Sequence, residues 1–237
     1  MGWVLITGAT AGIGREAALA FARAGLSVIA SGRDPERLGS LEAEARTLGL
    51  SLSTVVLDVT DERSIASAAT SVGELTSGHG LDVLVNNAGF GEMAPLETIP
   101  LARVRAMFET NVVGLARVTR AFLPTMRARG VGRVVNVSSL MGRMVVPAQG
   151  AYAASKHAVE ALSDALRREV EPFGVSVVVL EPGAVARRSL PRGARARSLG
   201  ASRSSGCRGS RCAACARRAR PTRRSRGPHR ASGTRCR

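Results

Sequence analysis

The chain has 237 residues, 45% of them hydrophobic, which is enough for the buried core of one α/β domain. Its formal net charge of +16 resides in residues 187–237, which hold 17 arginines and no acidic residue. Residues 1–186 carry 17 basic and 18 acidic residues, a balance that argues against a nucleic-acid-binding body.

Short apolar runs alternate with amphipathic stretches through the first 186 residues. The apolar runs, which predict strands, are residues 3–7, 27–31, 53–59, 81–86, 133–138 and 175–181. The amphipathic stretches, which predict helices, lie near residues 13–25, 35–48, 61–77, 101–130 and 150–171. Strands rich in Val and Ile that are separated by helical crossovers favour a parallel sheet covered on both faces. We therefore expect a doubly wound α/β domain, a Rossmann fold, over residues 1–186.

The stretch TGATAGIG directly follows the first predicted strand and opens the first predicted helix. In that context Gly8 allows a tight turn, Gly12 lets a phosphate approach the backbone, and Gly14 lets the helix pack closely on the strand. The free N–H groups of the helix N-terminus would then face a pyrophosphate. A glycine-rich turn without a ligand is the alternative. The residues predicted to bind a dinucleotide here are Gly8, Thr10, Gly12, Ile13 and Gly14.

The end of the second strand bears on the choice of cofactor. Sites that prefer NAD usually present a carboxylate to the ribose 2′-hydroxyl at this position, where this chain has Gly32 followed by Arg33. A guanidinium can bind a 2′-phosphate through two hydrogen bonds, which favours NADP(H), with NAD(H) as the alternative. The alternatives for the neighbouring residues are that Asp34 turns inward, or that Arg33 is an ordinary solvated charge while Asp34 caps the next helix.

Tyr152 and Lys156 are the only tyrosine and the only lysine of the chain, and they stand four residues apart in a predicted helix. Residues at this spacing share a helix face, so the phenol and the ammonium are expected to point into the same space. An ammonium held near a phenol favours its phenolate form, which is the form that accepts a proton.

With TGATAGIG, NNAG at 86–89, Asn111 in NVVG, Ser139 in NVSS, YAASK at 152–156 with the Tyr152/Lys156 pair, and EPG at 181–183, the chain resembles the classical short-chain dehydrogenase/reductase family. The resemblance covers about residues 3–186. It implies oxidoreductase activity in which a nicotinamide carries a hydride between NADP(H) and a secondary alcohol or carbonyl compound.

The same resemblance implies a role for each of four catalytic residues. Tyr152 corresponds to the general acid/base, and Lys156 to the residue that favours its phenolate form and binds the nicotinamide ribose. Ser139 corresponds to the hydroxyl that orients the substrate oxygen, a role for which Ser138 is less suitably spaced. Asn111 corresponds to the residue that holds a water in a proton relay to Lys156.

Further cofactor contacts are carried over by resemblance at three turns. Each turn also has a purely structural interpretation: the aspartate could cap a helix, the asparagine could satisfy the hydrogen bonds of a turn, and the Pro-Gly could end a strand. The residues implied are Asp58 and Val59 near the adenine, Asn87, Ala88 and Gly89 along the cofactor, and Pro182, Gly183 and Val185 at the nicotinamide end, together with Tyr152 and Lys156.

The resemblance ends near residue 186. The family continues with a threonine, a substrate-covering segment, a further helix and a seventh strand, whereas this chain has Arg187 and an arginine-rich segment without apolar periodicity. We therefore expect the last strand and helix to be missing, and residues 187–237 to be a disordered basic tail. Our hypothesis is that the tail is out-of-frame translation, the alternative being a genuine basic tail.

The tail also holds all four cysteines. The first 186 residues thus offer neither a disulfide framework nor a thiolate metal site, and we expect no metal. A zinc site at Cys212 and Cys215, completed by Cys207, Cys236 or His229, is a weak alternative because a second ligand pair is missing. The sequence begins with no charged region before a long apolar stretch, and we expect a cytoplasmic protein without a membrane segment.

Substrate and partners are the least constrained features. The loop at 141–150, MGRMVVPAQG, is mostly apolar, which favours a hydrophobic alcohol or ketone as substrate. The family resemblance implies a homo-oligomer, and the tail predicts only non-specific nucleic-acid binding. The alternatives to an active enzyme are an inactive cofactor-binding protein and a nucleic-acid-associated protein that binds through its tail.

Overall fold

The computed structural model describes residues 2–183. Six strands are β1 Trp3–Ile6, β2 Ser27–Gly32, β3 Leu52–Val56, β4 Val83–Asn86, β5 Gly132–Val137 and β6 Val175–Leu180. Six α-helices are α1 Gly12–Arg23, α2 Pro35–Thr47, α3 Glu62–Leu75, α4 Leu101–Phe108, α5 Leu115–Arg129 and α6 Gly150–Val170. A π-helical turn at Glu109–Gly114 and 3-10 turns at Leu140–Gly142 and Glu171–Phe173 complete the described elements.

All six strands pair in parallel, in the order β3-β2-β1-β4-β5-β6. The strand order reverses between β1 and β4, since the chain builds outward from β1 in one direction and then from β4 in the other. Ligands of such sheets bind outside the carboxyl ends of the strands at this switch point. The arrangement confirms the predicted doubly wound Rossmann fold.

The core has two layers, one on each face of the sheet. Successive side chains of β1 point into opposite layers, because Val4 and Ile6 belong to one layer and Leu5 to the other. Helices α1 and α2 cover the first face, and α3, α5 and the end of α6 cover the second. Since every residue of β2 is buried, the sheet interior requires the continuous apolar runs that the sequence shows.

Local signals in the sequence explain where several helices begin and end. The carboxylate of Asp34 accepts hydrogen bonds from two backbone N–H groups at the start of α2, with Pro35 as the first helical residue. Asp61 caps α3 by accepting one hydrogen bond, from the backbone N–H of Arg63. Gly130 ends α5 in the left-handed conformation, with φ of 69°.

One predicted helix differs from the observed one. Residues 101–130 were expected to form a single α-helix, but the π-helical turn at Glu109–Gly114 separates α4 from α5. There the helix packs tightly on the loop after β3, since a Cβ at Gly114 would lie 2.8 Å from Cγ2 of Val59. Hydrophobic periodicity does not report the extra residue of such a turn, which is why the sequence predicted a regular helix.

Several expectations lie outside the described residues. They are Val185 as a nicotinamide contact, the boundary at residues 186 and 187, the disordered tail and the zinc alternative. Within residues 2–183, no helix combines the length and the apolar content needed to cross a bilayer.

Candidate active site

The glycine-rich loop between β1 and α1 lies at the switch point of the sheet. Gly8 has φ of +65°, and a Cβ there would lie 2.9 Å from Cα of Ala88 in the loop after β4. Gly14 is equally restricted, because a Cβ would lie 2.5 Å from the carbonyl oxygen of Gly8. Gly12 also has a positive φ, +56°, but a Cβ there would meet nothing within 4 Å. Packing therefore requires glycine at positions 8 and 14, whereas Gly12 lies beside open space at the start of α1.

That open space suits the diphosphate of a dinucleotide. Ala11 precedes α1 without a capping side-chain hydrogen bond, so the first N–H groups of the helix remain available to an anion. Ile13, in the first turn, is 38% exposed. Thr10 lies on Gly32 at the end of β2, where a Cβ would come within 2.7 Å of the threonine methyl group. The residues present thus fit the predicted cofactor.

Asn87 has a structural task in this region. Its side-chain amide donates to the carbonyl oxygens of Thr7 and Gly8 at 2.9 and 3.1 Å. The hydroxyl of Thr7 in turn accepts from the backbone N–H groups of Asn87 and Ala88, both at 3.0 Å. These hydrogen bonds fix the turn after β4 against the glycine-rich loop. The Asn87 side chain therefore has the structural role, that of satisfying the hydrogen bonds of a turn, which was its alternative interpretation.

Arg33 and Asp34 occupy different positions after β2. Both carboxylate oxygens of Asp34 are used at the start of α2, by the backbone of Glu36 and Arg37 and by the Arg37 side chain at 3.1 Å. Asp34 therefore caps the helix, as one of the alternatives stated. Arg33 is exposed and forms no ion pair with any residue in 2–183.

Asp58 and Val59 follow the end of β3. Oδ1 of Asp58 accepts hydrogen bonds from the backbone N–H and the hydroxyl of Thr60, at 2.9 and 2.7 Å, and is half-buried. Val59 is buried against the π-helical turn. The predicted strand at 53–59 is shorter in the structure and ends at Val56, because the chain turns through these Asp58 hydrogen bonds.

Tyr152 and Lys156 lie on one face of α6, as their spacing predicts. Nζ of Lys156 is 5.9 Å from the centroid of the Tyr152 ring. The ring packs closely on Gly91, where a Cβ would lie 2.8 Å from Cδ2 of Tyr152. Tyr152 is half-buried, whereas Lys156 is only 5% exposed. The phenol is thus held between a buried ammonium and a loop that approaches it without a side chain.

Burial changes the acidity of Lys156. Its ammonium donates a hydrogen bond of 2.7 Å to the carbonyl oxygen of Val137, at the end of β5. Loss of solvation lowers the pKa of Lys156 to about 8, and the negative charge of Glu160 opposes that change. Near neutral pH Lys156 therefore carries its charge inside the protein, one turn from the phenol.

Asn111 lies in the π-helical turn and joins three segments. Its side chain donates to the carbonyl oxygen of Phe90 at 2.9 Å and to the hydroxyl of Ser155 at 3.0 Å, and it accepts from the N–H of Phe90 at 3.0 Å. A Cβ at Gly89 would lie 3.0 Å from Oδ1 of Asn111 and 3.7 Å from Nζ of Lys156. Asn111 and Lys156 therefore converge on Gly89.

Ser139 begins the 3-10 turn that follows β5. Its hydroxyl oxygen accepts from the N–H of Met141 at 3.2 Å, and no residue in 2–183 accepts its proton. Ser138, by contrast, is buried and points into the interior. The N–H of Leu140 donates to the carbonyl oxygen of Pro182 at 3.0 Å, which brings the segment at 182–183 beside this turn. The structure thus gathers Asn111, Ser139, Tyr152 and Lys156 at the carboxyl ends of β4 and β5.

Sequence analysis missed several residues of this site. Gly91 bears on the Tyr152 ring, Phe90 holds Asn111, and Glu160 lies buried one turn beyond Lys156. Glu160 had a sequence signal, since it stands four residues after Lys156, the spacing of helical ion pairs. Gly91 and Phe90 had none, because their contacts depend on the tertiary path of the loop after β4.

Comparison with known proteins agrees with this geometry. A family model described as short chain dehydrogenase matches residues 2–193. The uncharacterised oxidoreductase YusZ of Bacillus subtilis is 41% identical over 181 residues, which are 76% of this chain and 63% of that protein. The chain therefore spans less than two thirds of the length of this curated relative.

Two solved structures extend the comparison. A short-chain dehydrogenase from Streptomyces avermitilis is 41% identical with a TM-score of 0.74, over 79% of this chain and 67% of that one. A gluconate 5-dehydrogenase from Burkholderia cenocepacia, solved with NADP and tartrate, is 31% identical with a TM-score of 0.72, over 77% of this chain and 71% of that one. Fold, strand order and sequence agree, and the chain belongs to the short-chain dehydrogenase/reductase family of oxidoreductases.

Proposed function

We propose that this protein interconverts a secondary alcohol and a carbonyl compound with NADP(H) as cofactor, and that Tyr152 is the general acid/base. The observation that carries the proposal is the Tyr152–Lys156 pair, in which a buried ammonium lies 5.9 Å from the phenol ring. Burying a charge is costly, so a lysine kept in this position is typical of a functional site.

The residues of the pair have complementary tasks in carbonyl reduction. A bound nicotinamide supplies the hydride. Tyr152 donates its phenolic proton to the substrate oxygen, and the ammonium of Lys156 stabilises the phenolate that remains. Ser139, whose proton has no acceptor among residues 2–183, donates a hydrogen bond to the same substrate oxygen. In alcohol oxidation each proton moves in the opposite direction.

Asn111 acts in this proposal as a positioning residue. Its amide is already used to tie the Phe90 loop to Ser155 on α6. It thereby keeps the π-helical turn beside Lys156, where the family resemblance expects a water that returns a proton to the pair. Its replacement by alanine would release both the loop and the turn.

NADP(H) is the proposed cofactor because of Arg33. The carboxylate that follows it in sequence, Asp34, is turned away to cap α2, which leaves an exposed guanidinium at the end of β2. The dehydrogenase from Burkholderia cenocepacia was solved with NADP. Cofactor contacts are proposed for the glycine-rich loop, Asp58 and Val59, the turn at 87–89, and Pro182, Gly183 and Val185.

A hydrophobic substrate is proposed from the surface around Tyr152. The loops at 90–98 and 141–149 are joined by a hydrogen bond of 2.8 Å from the N–H of Ala94 to the carbonyl oxygen of Ala148. They expose large apolar side chains, among which Met93, Leu96 and Val145 are each more than half exposed. Such a surface favours an apolar ketone or alcohol over a sugar.

The test is NADPH oxidation by the purified chain with a panel of apolar and polar ketones, compared between wild type and Tyr152→Phe. We expect turnover of apolar ketones that falls by about 100-fold or more in the variant, the usual contribution of a general acid. NADPH binding should be unchanged, since the phenylalanine keeps the ring. Equal rates in both proteins would refute the function of Tyr152.

A further inference from the structure

Glu160 lies on the buried face of α6, one helical turn after Lys156. It is 5% exposed, and within residues 2–183 its carboxylate accepts no well-aligned hydrogen bond, although Arg143 forms an ion pair with Oε2. A buried carboxylate is costly unless cations lie close to it. None of the roles proposed above accounts for this residue.

One cation contacts the Glu160 carboxylate, and a second lies one helical turn before it on α6. On the outer side, Nη2 of Arg143 is 3.1 Å from Oε2, and the same guanidinium is shared with Glu181 at 2.9 Å. Arg143 is about half exposed, so water screens its attraction. On the inner side lies Lys156, which is itself buried. Glu160 and Lys156 form no direct ion pair in residues 2–183, but their opposite charges, one helical turn apart on the buried face of α6, attract each other with little screening by water.

Glu160 also borders the turn that carries Ser139. A Cβ at Gly142, the last residue of that turn, would lie 2.9 Å from Oε1 of Glu160 and 2.6 Å from Oγ of Ser138. The backbone of the turn therefore rests against the carboxylate. A change in the position of Glu160 would be transmitted to both Lys156 and the Ser139 turn.

We propose that Glu160 is a positioning residue for the Tyr152–Lys156 pair, whose buried carboxylate keeps Lys156 in the ammonium form and supports the turn of Ser139. The inference rests on the proposed function only in giving Lys156 a part in proton transfer. The other titratable or charged groups around Glu160 and Lys156 are Tyr152 and Asp164 on α6, Arg143 in the turn, and Glu181 after β6.

The charge of Lys156 can be measured directly, because it is the only lysine of the chain. Protein made with ¹³C-lysine gives one Cε resonance, whose pH titration reports Lys156 alone. The wild-type midpoint is expected at about 8. Glu160→Gln should lower the midpoint by about one unit, since it removes a nearby opposite charge. Glu169→Gln, on the exposed side of the same helix, should leave it unchanged.

Arg143→Gln provides a second, independent variant at an exposed position. It removes the cation that partly neutralises Glu160, so the midpoint of Lys156 should rise. Arg143→Gln therefore tests the role of Glu160 even if Glu160→Gln does not fold. A midpoint that stays constant in Glu160→Gln, shifts equally in Glu169→Gln, or fails to rise in Arg143→Gln would overturn the inference.

Kinetics separate this inference from the proposed function. Neutral Lys156 no longer stabilises a phenolate, so ketone reduction should decline above the Lys156 midpoint, and Glu160→Gln should move that decline to lower pH by the same amount. If the midpoint shifts and the pH profile does not, the inference about Glu160 stands and the proton-transfer role of Lys156 fails. If wild type reduces ketones and the midpoint does not move, the inference fails alone.

Discussion

Arg33 is the residue on which cofactor choice depends in the proposed function. Arg33→Ala should weaken NADPH binding about 10- to 100-fold, because a charge-assisted hydrogen bond to phosphate contributes about 1.5 to 3 kcal/mol. NADH binding should be nearly unchanged, since NADH has no 2′-phosphate. Dissociation constants from cofactor fluorescence measure both effects. Arg46→Ala, an exposed arginine at the far end of α2, is the matched control. Equal affinities of wild type for the two cofactors would contradict the prediction.

Gly91 is the residue whose effect on Tyr152 is purely steric. In Gly91→Ala the new Cβ would collide with the Tyr152 ring, so the ring must move by a few tenths of an ångström or more. We expect kcat for ketone reduction to fall about 10- to 100-fold, since small misplacements of reacting groups are costly.

The control for Gly91 is Gly39→Ala, inside α2, where a Cβ would meet nothing within 4 Å. This variant should keep full activity and gain about 0.5 to 1 kcal/mol of unfolding free energy, as expected for alanine in a helix. Full activity of Gly91→Ala at unchanged stability would show that the ring position tolerates the contact.

At the scale of elements, a buried polar network joins two strands to two helices. The amide of Asn86 on β4 donates to Thr119 on α5 and to Asn136 on β5, each at 2.9 Å. Asn136 in turn donates to Ser163 on α6 at 2.9 Å. Because these groups are buried, the network fixes which helices lie over β4 and β5.

Asn136→Ala should therefore lower the unfolding free energy by about 2 to 3 kcal/mol, because it leaves buried donors and acceptors of its neighbours unpaired. Urea denaturation measures this loss. Thr70→Ala is a suitable control, since that exposed hydroxyl bonds only a carbonyl of its own helix. A loss below about 0.5 kcal/mol, no more than an ordinary surface substitution gives, would show that the neighbours find other partners.

The elements also show what the sequence allows one to predict. Runs of Val and Ile located all six strands, because buried parallel strands need apolar residues on both faces. The spacing of Tyr152 and Lys156 placed them correctly on one helix face. The sequence did not predict the π-helical turn or the contact of Gly91 with the phenol, since both arise from packing between distant segments rather than from a local pattern.

For the whole molecule, β6 is the outermost strand on its side of the described sheet. Its residues alternate, with Val175 and Val177 buried and Val178 and Leu180 exposed on the opposite face. Between α1 and β4–β6 this face forms an apolar groove of about 390 Å³. An exposed apolar edge strand favours association of chains.

Val178→Lys should reduce self-association of the chain, because it replaces an exposed apolar side chain on the edge strand by a charge, and both changes disfavour contact with another copy. The apparent mass from light scattering should rise with concentration in wild type and rise less in the variant. Ser176→Lys adds the same charge on the same face without removing an apolar side chain, and should have a smaller effect. Identical mass at all concentrations in the three proteins would exclude association through β6.

The central proposal is that this chain moves a hydride between NADP(H) and an apolar carbonyl with help from Tyr152. The most direct measurement follows deuterium from NADPH that carries deuterium at both hydrogen positions of the nicotinamide C4 into the alcohol product by mass spectrometry. We expect one deuterium per product molecule with the wild-type chain. With Tyr152→Phe the rate of labelling should fall by about 100-fold or more. Bound NADPH that transfers no deuterium to any ketone, or equal labelling by both proteins, would contradict the proposal.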